Sequence, residues 1–393
     1  MNQIKLRFNA GVEYNGKIYA SAIYINGLFS LDIATHRITY LKSFSREKPC
    51  YAIHRTAFLY KNEAWFIPQH GSYIAIVDLE TLDIQYLKPP FQKINQKAIS
   101  RINAVYYSGG MINNRYLYLI PTNIDTLLLI DLENKTLYPY YDVSTEDNYY
   151  LYGTYAEGCI YLVPYVGKSF MQIELITDNR TCYPWKYPYE AVGDILCYER
   201  QLWFCPGRSD FILKMDLDTK KMQEIPLKEA HHTACLYEQI QRYENRLFFI
   251  PFHANRILEY FMNDEKISQI YLEEDLLKEG WNGFTKIFSE KNIILASYEK
   301  SFVLIYEKRE DIFLKLSLEI DRDILLCEIE HGEESLPFKI ENYIHKDMYA
   351  GNEDYRENFW GLKKYMELIP DVVFSEKGPQ KNLGRFIWEK VKQ

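Results

Sequence analysis

The stretch Ala64–Leu87, AWFIPQHGSYIAIVDLETLDIQYL, carries a plan that recurs along most of the chain: a short aromatic strand ending in proline, a polar loop, a second strand closing on an acidic residue, a tight turn and a third strand. Repetition at a near-constant period constrains a fold more than any single motif, because units that look alike must pack alike. The marker defined by the proline of Trp65-Phe66-Ile67-Pro68 falls at Ala22, Pro68, Pro121, Pro164, Pro206, Pro251 and Ser297, with spacings of 46, 53, 43, 42, 45 and 46 residues. The acidic marker keeps step at Asp32, Asp78, Asp131, Glu174 and Asp216, with Tyr260 and Tyr306 in its place in the last two units.

Ahead of each marker strand lies another apolar stretch and a tight turn, as in Tyr14-Asn15-Gly16-Lys17, Tyr60-Lys61-Asn62-Glu63, Tyr198-Glu199-Arg200-Gln201 and Tyr243-Glu244-Asn245-Arg246. Asn, Gly and charged residues there supply the positive φ angles that hairpin turns need. Each unit therefore reads as four short antiparallel strands, in the second unit about Thr56–Tyr60, Ala64–Pro68, Tyr73–Leu79 and Ile84–Leu87. A four-stranded sheet with two apolar faces cannot bury both alone. Radial stacking of such sheets solves this, and a four-strand period near 45 is its signature. The chain thus predicts an all-β fold, a seven-bladed β-propeller over residues 1–320, followed by a partly helical C-terminal extension over 321–393.

Within the extension, Asp321–Glu330 reads as one more strand. Asn352 is placed to cap a helix in which Tyr355, Phe359, Leu362, Met366 and Ile369 share a face, and Asn382–Lys392 reads as a second short helix. Gln3–Phe8 reads as an extra strand near the ring closure.

The composition agrees with this architecture. Hydrophobic residues make up 47%, ample for a large core, and the 35 tyrosines suit half-buried strands whose hydroxyls reach water or backbone. A net charge of −8, spread rather than blocked, argues against a nucleic-acid or anionic-membrane surface as the main partner. The seven cysteines form no C-x-x-C pair and several sit in apolar strands, which predicts buried, reduced thiols. The stretch MNQIKLRFNAGVEYNG has no apolar run of signal-peptide length, nowhere do 18 apolar residues follow one another, and a cytoplasmic location is the expectation.

The chain resembles the seven-bladed propellers over about four-fifths of its length. It lacks the Gly-His and Trp-Asp marks of WD40 repeats, and Gly109-Gly110 is its only pair of the kind that kelch repeats carry regularly. The segment Leu202–Leu227, LWFCPGRSDFILKMDLDTKKMQEIPL, is similar in repeat style to streptogramin B lyase and NHL-type propellers. That likeness implies the fold and carries no catalytic residue across.

In such a ring, the loops that link successive blades and those between second and third strands open on one face. The blade-linking loops hold His54 and Arg55, Arg101 and Asn103, Tyr150 and Tyr152, Glu190, His231 and His232, and Trp281. The second set holds Gln69 and His70, Asn123, Tyr165, Arg208, Phe252 and His253, and Tyr298. Five of the eight histidines fall on this face, beside arginines and aromatic rings that suit a carboxylate, phosphate or sugar. The expected function is recognition of a protein or glycan-like polar ligand at the axial mouth. The alternative is a lyase or hydrolase using His54, His231, His232 or His253 as base and Arg101 or Arg208 to stabilise negative charge.

Extended backbone points His231 and His232 to opposite sides, so no metal is expected. No nucleotide, zinc-protease or hydrolase motif occurs, and no cofactor is expected. The acidic column is expected to serve the turns of the opposite face.

Overall fold

The computed structural model describes residues 3–47, 50–90, 107–121, 126–143, 149–187, 192–227, 235–272, 283–307 and 309–332. They form seven four-stranded antiparallel blades, each built from one contiguous segment with its strands in sequence order from axis to rim. The blades span 8–42, 54–87, 107–142, 149–184, 192–226, 237–271 and 284–317. In the second blade the strands are His54–Tyr60, Glu63–Pro68, Ile74–Asp78 and Ile84–Leu87, close to the sequence reading. The marker residue ends its strand in six blades, whereas in blade 4 the strand Cys159–Val166 runs two residues past Pro164.

The core lies between the blades. Trp65, Ile67 and Ile76 of blade 2 pack with Leu117, Leu119 and Ile130 of blade 3. Phe170 stacks on Tyr161 and on Trp185, each at 5.9 Å, and the group continues onto Phe204 of blade 5. Each such side chain contributes roughly 1.5–3 kcal/mol by leaving water, so these layers dominate the stability of the ring.

The turns of the far face follow one design in blades 1, 2, 3 and 5. Asp32, Asp78, Asp131 and Asp216 each accept, through Oδ1, the backbone N–H groups two and three residues ahead, at 2.8–3.1 Å. The residue after each acid then donates to the neighbouring hairpin turn, as Leu79 does to the Asn62 carbonyl at 2.8 Å. Positive φ falls on Asn15, Lys61, Asn114, Glu157, Glu199 and Glu244, the turn positions expected to need it. Pairing corrects the column at its end. Phe261 lies opposite Arg246 as Asp216 lies opposite Gln201, and Glu307 closes its strand and accepts from Arg309 N at 3.1 Å. The equivalents are therefore Phe261 and Glu307 rather than Tyr260 and Tyr306, which are 1% and 3% exposed. A slip of one residue turns a side chain to the other face.

The ring closes without a shared blade. Phe288 N donates to Gly11 O and Glu13 N to Phe288 O, at 2.9 and 2.7 Å, tying blade 7 to the inner strand of blade 1. Gln3–Lys5 pairs with Glu319–Asp321 in a separate two-stranded ribbon. The strand expected over Asp321–Glu330 is instead the helix Arg322–Gly332. Asp321 Oδ1 caps it by accepting from Asp323 and Ile324 N, and Glu328 accepts the edge N–H of Tyr40 at 2.8 Å. The two helices expected farther along lie outside the described residues.

No disulfide joins the described cysteines. Cys159 and Cys205 are buried as expected, but Cys182 and Cys327 are exposed. No described helix is long and apolar enough to cross a membrane.

Candidate functional site at the axial mouth

The first strand of each blade faces the axis, and in six blades it is broken near its start by a bulge. Thirteen residues ahead of the marker, this position holds Asn9, Arg55, Ser108, Leu151, Gly193 and Glu238. A bulge leaves a residue out of the ladder and re-aims its side chain. It also frees carbonyls, and the preceding blade takes them up. The side chain of Asn9 donates to His54 O, and Ser108 Oγ donates to Leu151 O. Gly193 is required here for space, since a Cβ there would lie 2.7 Å from the Glu238 carbonyl oxygen.

Arg55 and Glu238 thus reach the channel from blades 2 and 6. Arg55 Nη1 donates to Tyr298 Oη at 3.0 Å, and Nη2 stands 3.8 Å from Glu238 Oε1. Tyr152 of blade 4 donates its hydroxyl to the same carboxylate oxygen at 3.3 Å. Four blades therefore meet in one hydrogen-bonded group. Tyr298 and Glu238 hold the guanidinium charged, while burial pushes both tyrosines above the ordinary phenol range. At 3.8 Å the Glu238 contact is an ion pair without a hydrogen bond, so Nη2 keeps donor capacity for a ligand.

His54, a mouth candidate by sequence, is instead fully buried. Its ring packs against Phe44 at 4.5 Å and Phe66 at 5.3 Å, and neither nitrogen finds a hydrogen bond among the described residues. Burial lowers its pKa to about 3, which removes it as a base near neutral pH. The alternation of the strand explains the split: His54 points into the blade 1–2 core and its neighbour Arg55 to the axis.

His70 donates from Nδ1 to Tyr51 O at 2.7 Å, and burial, with the charge of Arg55 as a smaller contribution, lowers its pKa. Its loop is pinned by Glu47, whose carboxylate accepts from Ser72 and Tyr73 N at 2.7 Å, and by Gln69, which accepts from Asn9 at 3.0 Å. Arg208 and His253 lie half-buried in the corresponding loops of blades 5 and 6, His253 against Phe252 at 4.8 Å. Tyr165 lies within the strand Cys159–Val166, one residue before its end. Arg101, Asn103, Asn123, Glu190, His231, His232 and Trp281 lie outside the described residues. Among the described residues no cluster of three or more His, Cys, Asp or Glu side chains is set to hold a metal.

Sequence reasoning missed Glu238. The signal was present as the constant offset from the proline marker, but six different residue types at that position gave no visible motif.

No family model matches the chain, and no curated protein matches it in sequence. Similarity appears in three dimensions. A streptogramin B lyase superposes with a TM-score of 0.55 at 16% identity, covering 76% of this chain and 92% of that one. A catalytically inactive virginiamycin B lyase from Staphylococcus aureus with quinupristin superposes with a TM-score of 0.57 at 14% identity, covering 75% and 92%. At such identities the likeness shows the propeller fold alone.

Proposed function

We propose that the protein is a recognition module that binds a polar ligand of protein or glycan-like chemistry, through an anionic group, at the axial mouth. One observation carries this reading: Arg55 is anchored by Nη1 to Tyr298 while Nη2 makes no hydrogen bond among the described residues. A guanidinium so oriented offers a carboxylate or phosphate the parallel donors of its fork, with tyrosine rings beside it for a sugar or peptide group. Rigid rings with variable loops serve such roles widely.

The test uses Arg55→Lys, which keeps the charge beside Glu238 and removes the fork. Binding of the full chain to a panel of uronate-bearing oligosaccharides and carboxylate-terminated peptides is compared by calorimetry, with melting curves alongside. The expected result is a ligand from the panel whose affinity falls at least tenfold in Arg55→Lys, with little change in melting temperature. Binding indifferent to the substitution would place the ligand elsewhere.

A further inference from the structure

A separate cavity of about 220 Å³ lies in the channel toward the turn face. It is lined by the inner strands of blades 2, 5, 6 and 7, and neither Arg55, Glu238 nor Tyr298 touches it. Its apolar wall is made by Phe58, Leu196, Ile240 and Phe288, with Phe288 packed on Phe58 across the channel at 6.3 Å. Phe288 is held there by the backbone bonds that close the ring, so the wall is part of the scaffold.

Lys286, Arg242 and Gln241 border the same space, with Thr56 and with Ser289 and Asn292, whose side chains are turned to Glu13 as donors. Lys286 Nζ pairs with Asp194 Oδ2 at 3.1 Å, yet its side chain stays 44% exposed while that of Asp194 is 16% exposed. Arg242 is exposed, lies over the Tyr198 ring at 4.5 Å, and has no carboxylate partner among the described residues. Gln241 presents a buried Oε1 that accepts no hydrogen bond among the described residues. A buried acceptor without a donor is unfavourable, and a ligand hydroxyl or N–H would relieve it.

We propose that this cavity is a second binding site, for a small organic anion with a flat or branched apolar body. The anionic group meets Lys286 and Arg242, the body lies against Phe58 and Phe288, and a donor on the far side reaches Gln241. The volume falls below the roughly 300–1,000 Å³ of drug-sized sites, so the ligand has about one ring. A single cation would attract any anion. The combination of two cations, an aromatic wall and one unpartnered acceptor selects for shape and for a donor as well.

The test titrates the full chain at low ionic strength with 4-hydroxybenzoate and benzoate, with 4-hydroxybenzyl alcohol as the neutral control. Both carboxylates should bind saturably, the hydroxylated one at least threefold tighter, and the alcohol should not bind. Lys286→Met should weaken both at least tenfold and Arg242→Ala at least threefold. Gln241→Leu should abolish the difference between the two carboxylates. Absence of saturable binding to either carboxylate overturns the proposal, as does binding unaffected by Lys286→Met. Should Lys286→Met fail to fold, because Asp194 is left alone, the Gln241→Leu arm decides: a surviving preference for the hydroxyl sinks it.

Discussion

Two columns of residues recur around the ring, the bulge column in six of the seven blades, and they behave in opposite ways. On the turn face the acidic column repeats aspartate in four blades, because each of these carboxylates is satisfied by N–H groups two and three residues ahead. At the axis the bulge column has one backbone geometry but holds Asn9, Arg55, Ser108, Leu151, Gly193 and Glu238. Partners there come from other blades, so each position answers to different surroundings. Local chemistry keeps aspartate at four of the seven turns, and long-range chemistry diversifies the axial position, which is where a site can be built.

The largest expected effect tests the division between blade interior and axis within one strand. The pKa of His54 is about 3 in the folded state and near 6.5 unfolded, so its contribution to stability is complete above about pH 6.5. As pH falls below that value the unfolded chain takes the proton first, and stability drops by up to about 1.4 kcal/mol per pH unit until the folded value is reached. Urea unfolding between about pH 6.5 and 4.5 should show this slope in the natural chain and a much flatter one in His54→Phe. Equal slopes would mean that the ring is not sealed between Phe44 and Phe66.

Next in size is the Arg55 group. Arg55→Ala removes the cation facing Glu238 in the channel, and because both side chains are partly exposed the loss should be about 2–3 kcal/mol, below that of a fully buried pair. A cycle with Glu238→Gln should return a coupling of about 1–2 kcal/mol. A coupling near zero would reduce the bulge column to independent residues and remove its contrast with the turns.

The acidic column should yield less per residue. Asp78→Ala should cost about 1.5 kcal/mol in thermal unfolding, since two charge-assisted bonds from Glu80 and Thr81 are lost, with Asp78→Asn between the two. The carboxyls of Asp32, Asp78 and Asp216 are held below their ordinary values chiefly by these N–H bonds. Their contribution is present above the unfolded value near 4 and is lost as pH falls through the lower folded values. The smallest effect belongs to Asp218→Ala. Its pair with Arg200 is half-exposed on both sides, and the melting temperature should not move measurably.

The blades were legible because their signals are local. A strand-ending proline, an aspartate two residues before the N–H it binds, and a positive-φ turn all act within a few positions. The slip at Tyr260 and Tyr306 shows the limit. In blade 6 Phe261 replaces the acid, so only the pairing with Arg246 identifies the column, and the inward Tyr260 looks equally plausible in sequence. The helix Arg322–Gly332 was misread as a strand although Asp321 carries its cap, because an apolar run this short fits either period.

At the axis, sequence grouped Arg55, Tyr152 and Tyr298 in the loops of one face, where the structure brings them together, and did not include Glu238. It also put His54 beside them, since a residue pair in one loop cannot be divided into core and channel without knowing where the bulge falls. By itself, then, the sequence determined the repeat, the number of blades and the chemistry of the turns, all of which rest on hydrogen bonds between near neighbours. Only the tertiary structure decided which side chains reach the axis, which of them meet there from blades 2, 4, 6 and 7, and that a second cavity lies beneath. Those outcomes depend on bulges and contacts between residues up to 243 positions apart, distances over which a single chain leaves no readable pattern.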